Sequence, residues 1–252
     1  MRKKLTRKFF NRPTIAVAKN LLGKFLVRRY NSRDIGGMIT ETEAYIGPRD
    51  RASHAFGGKK TQRNAAEYMD GGHIYIYLVY GMYWQFNIST AGEGRPECVL
   101  IRAVHLLSNS PRSRASLLRG RRELENKNLT NGPGKLCRYF KLDKSFYAED
   151  VCSSKRIWLE DRGYRMRNGW IYPPSSRKAG LRKDYSPRFR RGRIKKGPPN
   201  GIDYAGRYWA RKPWRFRIYD FVFFEGCMRS ETSTFRSIYN RPETIIAEIT
   251  AN

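Results

Sequence analysis

The pattern of apolar and polar positions predicts many short strands and few helices. Apolar residues recur at helical spacing in "RPTIAVAKNLLG", which predicts a helix that ends at Gly23. "KFLVRRY" and "IGGMITETEAYIG" predict two strands, the second of which stops at Gly47-Pro48. "HIYIYLVYG", "MYWQFNIST" and "ECVLIRAVHLL" predict three further strands, with Gly81 in a tight hairpin turn between the first two.

The second half of the chain has a weaker pattern. "SRASLLRGRRELENKN" and "NGPGKLCRYFKL" predict helices, "RIWLED" predicts a strand, and "YAGRYWARKPWRFRIYDFVFF" predicts a short helix followed by a strand. Residues 163–200 show little periodicity and are rich in Pro, Gly and basic residues, so they form either a disordered insertion or a loop that follows phosphates. Neighbouring strands without intervening helices predict one mixed domain with mostly antiparallel pairing.

Charge is the strongest global feature of the 252-residue chain. It has 51 Lys and Arg against 22 Asp and Glu, a formal net charge of +29. Such an excess favours a polyanionic partner, because basic side chains attract phosphates. No apolar run approaches about 18 residues, so no membrane span is expected. The four cysteines and three histidines show no ligand spacing for zinc, so no metal site is expected.

The stretch "ITETEAYIGPRDRASH" holds the first candidate site. On a strand, Glu41, Glu43 and Tyr45 share one face. Two interpretations remain open: the glutamates pair with surface arginines, or Glu43 lies in a pocket and acts as a base for water. His54 follows closely and is a candidate for the wall of such a pocket.

Two other stretches suit nucleic-acid binding. "HIYIYLVYGMYWQFN" places Tyr75 and Tyr77 on one strand face, either as core residues or as a wall that stacks on bases. Tyr80 stands at the hairpin tip, where it could enter a base stack and fill the gap left by an extruded nucleotide. "NGPGKLCRYF" opens a helix with Lys135, which is either a phosphate-binding turn or an ordinary helix start.

Taken together, the chain resembles the alkyladenine (3-methyladenine) DNA glycosylase family. The matching stretches include "AKNLLGKFLVRR", "GGMITETEAYIGPRDRASHAFGGKKTQRN", "YIYLVYGMYWQFNIS", "CVLIRA", "GPGKLC", "WLE" and "YAGRYWARKPWRF", in the order of the family. The resemblance implies an α+β fold, a single mixed domain with a curved, largely antiparallel sheet flanked by helices and a protruding β-hairpin. That glycosylase domain is expected over residues 12–222, followed by a tail, residues 223–252, of uncertain structure.

The resemblance also implies roles for individual residues. Glu43 would activate the attacking water as general base, and Arg102 would help hold that water. Tyr80 would intercalate into the DNA. The residues implied for the base pocket are Tyr45, His54, Tyr77 and Asn87. The residues implied to lie against the DNA backbone are Arg63 and Lys135.

The implied activity is that of a monofunctional enzyme without cofactor, which removes alkylated or deaminated purines from double-stranded DNA. We expect a monomer that does not bind membranes and is located with DNA, in a bacterial cytoplasm and nucleoid or in a nucleus. The alternative is a catalytically weak or inactive nucleic-acid-binding protein on the same scaffold. Two departures from the family stand out. Glu67 occupies a usually apolar position, where its charge is expected to repel phosphate, and "IYDFVFFEGC" replaces the usual final segment around Val222.

Overall fold

The computed structural model describes residues 2–106, 129–174, 188–189, 192–219 and 223–224. The predicted basic helix at residues 113–128, Val222 and the tail from residue 225 onwards lie outside these ranges. The described helices are α1 (Arg7–Phe10), α2 (Thr14–Leu21), α3 (Pro133–Phe140) and α4 (Arg207–Ala210). The described strands are β1 (Lys3–Lys4), β2 (Phe25–Tyr30), β3 (Arg33–Ile46), β4 (Ile74–Val79), β5 (Tyr83–Ser89), β6 (Glu97–Leu106), β7 (Ile157–Asp161), β8 (Arg165–Arg167), β9 (Trp170–Tyr172), β10 (Arg188–Phe189), β11 (Gly192–Gly197), β12 (Arg215–Tyr219) and β13 (Phe223–Phe224).

Within the described residues, eleven strands form one antiparallel sheet, and β10 pairs separately with β13. The main path runs β1-β7-β2-β3-β12-β11-β9-β8, and the β4-β5-β6 meander joins it through the pairing of β6 with β3. Helix α2 packs on β3 and β6, and α3 packs on β5 and β6. The predicted α+β class, with a curved antiparallel sheet, flanking helices and a hairpin, is confirmed.

Strand β3 is the centre of this arrangement. Its first half pairs with β2 and its second half pairs with β12, while β6 runs along its other edge. The register against β6 shifts on both sides of Glu41, as a β-bulge does. The bulge lies just before Glu43, so the strand changes direction where the candidate site begins.

The core extends to the N-terminal end of the chain. Leu5 and Phe10 are buried in the same apolar cluster as the sheet and α2, and β1 pairs with β7. These residues precede position 12, where the sequence placed the start of the domain. In α2 the buried side chains include Val17, Ala18 and Leu21.

The described residues of the basic segment 163–200 include β-strands. Strands β8, β9 and β11 extend the main sheet beyond β12. Sequence periodicity missed them because they are short and carry basic side chains on their exposed positions. The pairing of β11 with β12, of β9 with β11 and of β8 with β9 supplies backbone hydrogen bonds that no local pattern shows.

Candidate active site

The site is centred on Glu43, whose side chain is 0% exposed. Its Oε2 accepts hydrogen bonds from the Tyr45 hydroxyl at 2.9 Å and from Arg102 Nη1 at 3.2 Å. Its Oε1 accepts one from the backbone N–H of Asn200 at 3.0 Å. The first two partners were predicted to share a site with Glu43, and the structure brings them together.

A cluster of charges surrounds this carboxylate. Arg102 bridges the two glutamates, because its Nε also donates to Glu41 Oε1 at 3.2 Å. Arg215, which is the register partner of Glu43 on β12, donates to Glu41 and lies 3.9 Å from Glu43 Oε1. Both glutamates therefore form ion pairs with arginines, as one interpretation of the sequence proposed, and Glu43 also bonds Tyr45 and the Asn200 N–H.

Burial and charge act in opposite directions on Glu43. Desolvation raises the pKa of its carboxyl, while Arg102, the Asn200 N–H, the Tyr45 hydroxyl and Arg215 lower it, and burial is the larger effect. A carboxylate that is more basic than usual but still held by a cation is suited to accept a proton from water.

A cavity of about 600 Å³ lies beside this carboxylate. Tyr45, Arg102 and Asn200 line it, and Glu43 lies directly behind these three residues. The volume is in the range of pockets that enclose small organic ligands. The cavity and the buried carboxylate therefore form one site.

An aromatic wall closes one side of the cavity. His54 Nδ1 is 2.6 Å from the Tyr75 hydroxyl, and its ring meets Tyr77 edge-on at a centroid distance of 4.6 Å. Tyr75 is buried, while Tyr77 is partly exposed toward the cavity. Both predicted alternatives for this strand face therefore apply: Tyr75 belongs to a core cluster against which Tyr77 packs, and both tyrosines line the cavity.

Two buried polar residues position the loop that carries His54. Asp50 accepts hydrogen bonds from the backbone N–H groups of Ile46 and Ala52. Asn64 donates to the carbonyl oxygens of His54 and Lys59. Burial together with nearby Arg63 lowers the pKa of His54, so its ring favours the neutral form.

Asn87 lies in the cavity lining between β4 and β6. Its Nδ2 donates to the carbonyl oxygens of Tyr75 and Gln85, both at 3.1 Å. These two acceptors orient the amide, so that Oδ1 lies on the side of Cys98. The side chain is therefore fixed in a position where it can restrict which bases fit.

Tyr80 is 86% exposed at the tip of the β4–β5 hairpin. Tyr80 and Gly81 have φ of 52° and 69°, and the N–H of Met82 donates to the carbonyl of Val79. These features define a β-turn over residues 79–82 with both central residues left-handed, within a three-residue connection between the paired Val79 and Tyr83. The predicted turn is confirmed, and the tyrosine at its tip, whose left-handed backbone is unusual, also borders the cavity.

The two residues assigned to the DNA backbone lie in different places. Arg63 borders the cavity, with its guanidinium 5.3 Å from the Tyr77 ring centroid and Nη2 3.3 Å from the Leu78 carbonyl. Lys135 is exposed on α3, and its Nζ donates to Asn131 Oδ1 at 3.0 Å, outside the cavity lining.

Glu67 is not on the surface, contrary to expectation. It is 1% exposed in a 3₁₀ turn, Ala65–Tyr68, and it lines the cavity. A buried carboxyl cannot repel DNA phosphates as an exposed one would, so that prediction is wrong. Burial raises the pKa of Glu67 to about 8.

Sequence reasoning did not assign Asn200, Arg215 or Glu67 to the site. Arg215 lies in the "KPWRF" stretch, which offered a signal, whereas Asn200 follows two prolines and offered none. Among the described residues, no group of three or more His, Cys, Asp or Glu side chains is arranged to hold a metal ion. In the same part of the chain, no helix is long and apolar enough to cross a membrane.

Comparison with known protein sequences identifies the family of the chain. The sequence model of the methylpurine-DNA glycosylase family matches residues 8–221. The chain belongs to this family. It is 36% identical to the human DNA-3-methyladenine glycosylase over 221 residues, which cover 85% of this chain and 65% of the human protein. It is 42% identical over 164 residues to a Clostridioides difficile protein named "Putative 3-methyladenine DNA glycosylase", covering 64% of this chain and 81% of that protein.

The family assignment confirms the predicted resemblance and the predicted enzyme class. A methylpurine-DNA glycosylase is a DNA-repair hydrolase that cleaves N-glycosyl bonds, and the charge of +29 suits a DNA substrate. The matched region begins at residue 8, within α1, and ends at residue 221.

Proposed function

We propose that this glycosylase flips alkylated or deaminated purines, of the 3-methyladenine, hypoxanthine and ethenoadenine class, out of duplex DNA and hydrolyses their N-glycosidic bond. Glu43 activates the water, and no cofactor takes part. The observation that carries the proposal is a fully buried carboxylate, bonded to Arg102, beside an aromatic-walled cavity in a strongly basic chain.

The hydrogen bonds of Glu43 leave one acceptor position of its carboxylate unused among the described residues. A carboxylate has about four acceptor positions, two on each oxygen. Tyr45 and Arg102 use both positions on Oε2, and the Asn200 N–H uses one on Oε1. In the described part of the chain, the second position on Oε1 has no hydrogen-bond donor, and it is where we place the proton of the attacking water.

In the reaction, the water oxygen bonds to C1′ of the deoxyribose as the bond from C1′ to the purine nitrogen breaks. The water proton passes to Glu43, and the electron pair of the broken bond leaves with the purine. A ring-alkylated cationic purine leaves readily, whereas a neutral purine also needs protonation. Arg102 keeps Glu43 ionised before the step, because it lowers the pKa of that carboxyl.

The pocket suits a flipped purine. Tyr45, His54 and Tyr77 present ring surfaces and hydrogen-bonding atoms to the cavity, and Asn87 restricts the space beside them. Stacking on such side chains contributes about 1–3 kcal/mol per base. Tyr80, exposed at the hairpin tip, enters the duplex and occupies the gap that the flipped nucleotide leaves.

The remaining parts of the proposal are the contacts with the DNA backbone, the oligomeric state and the reaction product. Arg63 and Lys135 neutralise phosphates near the cavity mouth and along α3. We propose that the enzyme acts as a monomer. The mechanism needs no covalent amine intermediate, so we propose a monofunctional enzyme that releases the base and leaves an abasic site.

Replacing the proposed general base, Glu43, tests the proposal directly. A duplex containing hypoxanthine or ethenoadenine is incubated with excess enzyme, and abasic sites are cleaved with alkali. Glu43→Gln is expected to lower the single-turnover rate by about 10²–10⁴, the usual contribution of a general base. The matched control is Glu41→Gln, which removes a carboxylate from the same strand face and the same arginine cluster.

The control separates catalysis from electrostatics. Glu41→Gln is expected to retain far more activity than Glu43→Gln, since Glu41 contacts arginines, whereas Glu43 also bonds Tyr45 and the Asn200 N–H, which both line the cavity. Equal rates for wild type and Glu43→Gln would refute the proposed mechanism. Tight binding of lesion and undamaged duplex alike, without base release by the wild type, would favour the inactive DNA-binding alternative.

A further inference from the structure

Glu67 is a buried acid in the pocket that the proposed chemistry does not use. It lines the same cavity as Tyr77 and Asn87 and is 1% exposed. Its Oε1 accepts a hydrogen bond from Cys98 Sγ at 3.2 Å. Its Oε2 is buried and has no hydrogen-bond partner among the described residues.

The surroundings of Glu67 disfavour a negative charge when the pocket is empty. Cys98 faces it from β6, Tyr75 and Tyr77 face it from β4, and Tyr68 lies on its own turn. These groups are all neutral at physiological pH, since burial raises the pKa of each of them. An unpaired buried carboxylate is costly, so it takes up a proton instead.

The nearby charged groups do not neutralise it. Arg63 borders the same cavity, but its guanidinium is directed to the Tyr77 ring and the Leu78 carbonyl. Glu97 lies near Cys98 and accepts a hydrogen bond from Thr14, so it adds negative charge to this region. None of the ion pairs among the described residues includes Glu67.

A damaged purine in the cavity changes the protonation of Glu67 according to the charge of that purine. Purines methylated at a ring nitrogen are cations in DNA, and a cation a few ångströms away favours the ionised carboxyl. Hypoxanthine is uncharged and does not favour the ionised carboxyl. The proton lost beside a cationic base passes to solvent.

We propose that Glu67 adjusts the charge of the base pocket, neutral beside an uncharged purine and ionised beside a cationic alkylated purine, and thereby sets how the enzyme ranks the two classes of lesion. The inference rests on the proposed base-flipping function. Glu67 is a specificity-determining residue in this scheme, and Glu43 remains the general base.

The test compares the two lesion classes across pH. Single-turnover release of 3-methyladenine from methylated DNA and of hypoxanthine from a defined duplex is measured between pH 6.5 and 9, for wild type and Glu67→Gln. Any pH dependence of Glu43 or of the substrates is shared by both proteins and cancels in the comparison. Glutamine keeps the size of the neutral acid and cannot ionise.

A pKa of about 8 means that the ionised fraction of Glu67 rises about tenfold between pH 7 and pH 9. The preference of the wild type for 3-methyladenine over hypoxanthine should therefore rise up to about tenfold more than that of Glu67→Gln over this range. If Glu67→Gln does not fold, Glu67→Met, which is also uncharged and of similar length, replaces it.

Each outcome decides between the two proposals. Parallel pH profiles of the preference in wild type and variant, with both enzymes active, would overturn the role of Glu67 and leave the proposed function intact. A wild type that releases neither base would refute the proposed function, and the inference with it. A pH-dependent preference that is present only in the wild type would support both.

Discussion

The protonation of Glu67 has a consequence for stability that is independent of catalysis. The carboxyl has an ordinary pKa of 4.5 in the unfolded chain and a pKa of about 8 in the folded protein. Between these values the folded state holds a proton that the unfolded state has released. The contribution of Glu67 to stability is therefore fully present below pH 4.5 and is lost as the pH rises to about 8.

The size of this loss of stability follows from the shift in the pKa of Glu67. A difference of one pKa unit corresponds to about 1.4 kcal/mol, so the range from pH 5 to pH 8 corresponds to roughly 4 kcal/mol. Glu67→Gln removes the titration and keeps the shape of the side chain. The variant should be close to the wild type in stability at pH 5 and more stable than it by roughly 4 kcal/mol at pH 8.

Urea unfolding followed by tryptophan fluorescence measures this difference at several pH values. Because both proteins share every other titratable group, the difference between their free energies of unfolding isolates Glu67. The control is Glu93→Gln, which removes the same charge from an exposed position. A stability difference between Glu67→Gln and wild type that stays constant from pH 5 to pH 8 would refute the claim that Glu67 is protonated in the folded protein.

Three further predictions concern the active site and the domain boundary. Arg102 Nη1 lies 3.2 Å from Glu43 Oε2, and an arginine at this distance lowers the pKa of a carboxyl by about 1–3 units. Arg102→Met should therefore raise the pKa of Glu43 and move the acid limb of the pH–rate profile up by about 1–3 units; an unchanged limb would contradict the ion pair. Tyr80→Ala should weaken lesion-duplex binding in a gel-shift titration without lowering the Tm, since the ring is exposed, and a clear loss of Tm would mean that the ring packs in the fold. Phe10→Ala should lower the free energy of unfolding by about 3–5 kcal/mol, the usual cost of emptying a buried aromatic site; a stability change below about 1 kcal/mol would show that α1 is peripheral.

Much of the site was predictable because its parts are local in sequence. Alternation along β3 places Glu41, Glu43 and Tyr45 on one face, and the hairpin signal at Gly81 places Tyr80 at a tip. These patterns extend over a few residues and depend on backbone geometry alone. They were correct for the strands, the turn and the shared face.

The positions that sequence reasoning missed depend on distant partners. The Asn200 N–H reaches Glu43 across 157 residues, and Arg215 reaches Glu41 across 174. Strands β8, β9 and β11 are short and basic, and they exist because they extend a sheet edge formed by β12. A local sequence pattern cannot show where a distant partner will lie, because the two segments come together only when the chain folds.

By itself, the sequence determined the family, the strong positive charge and the order of the strands, because these follow from residue identity and local periodicity. Only the tertiary structure decided which carboxyl lies among arginines, which also bonds a tyrosine and a distant backbone N–H, and which is buried with one oxygen that has no hydrogen-bond partner. The residue type is the same for Glu41, Glu43 and Glu67, and the difference between them is the environment that the fold supplies. Desolvation and neighbouring charges set the protonation of an acid, and both are properties of the folded state.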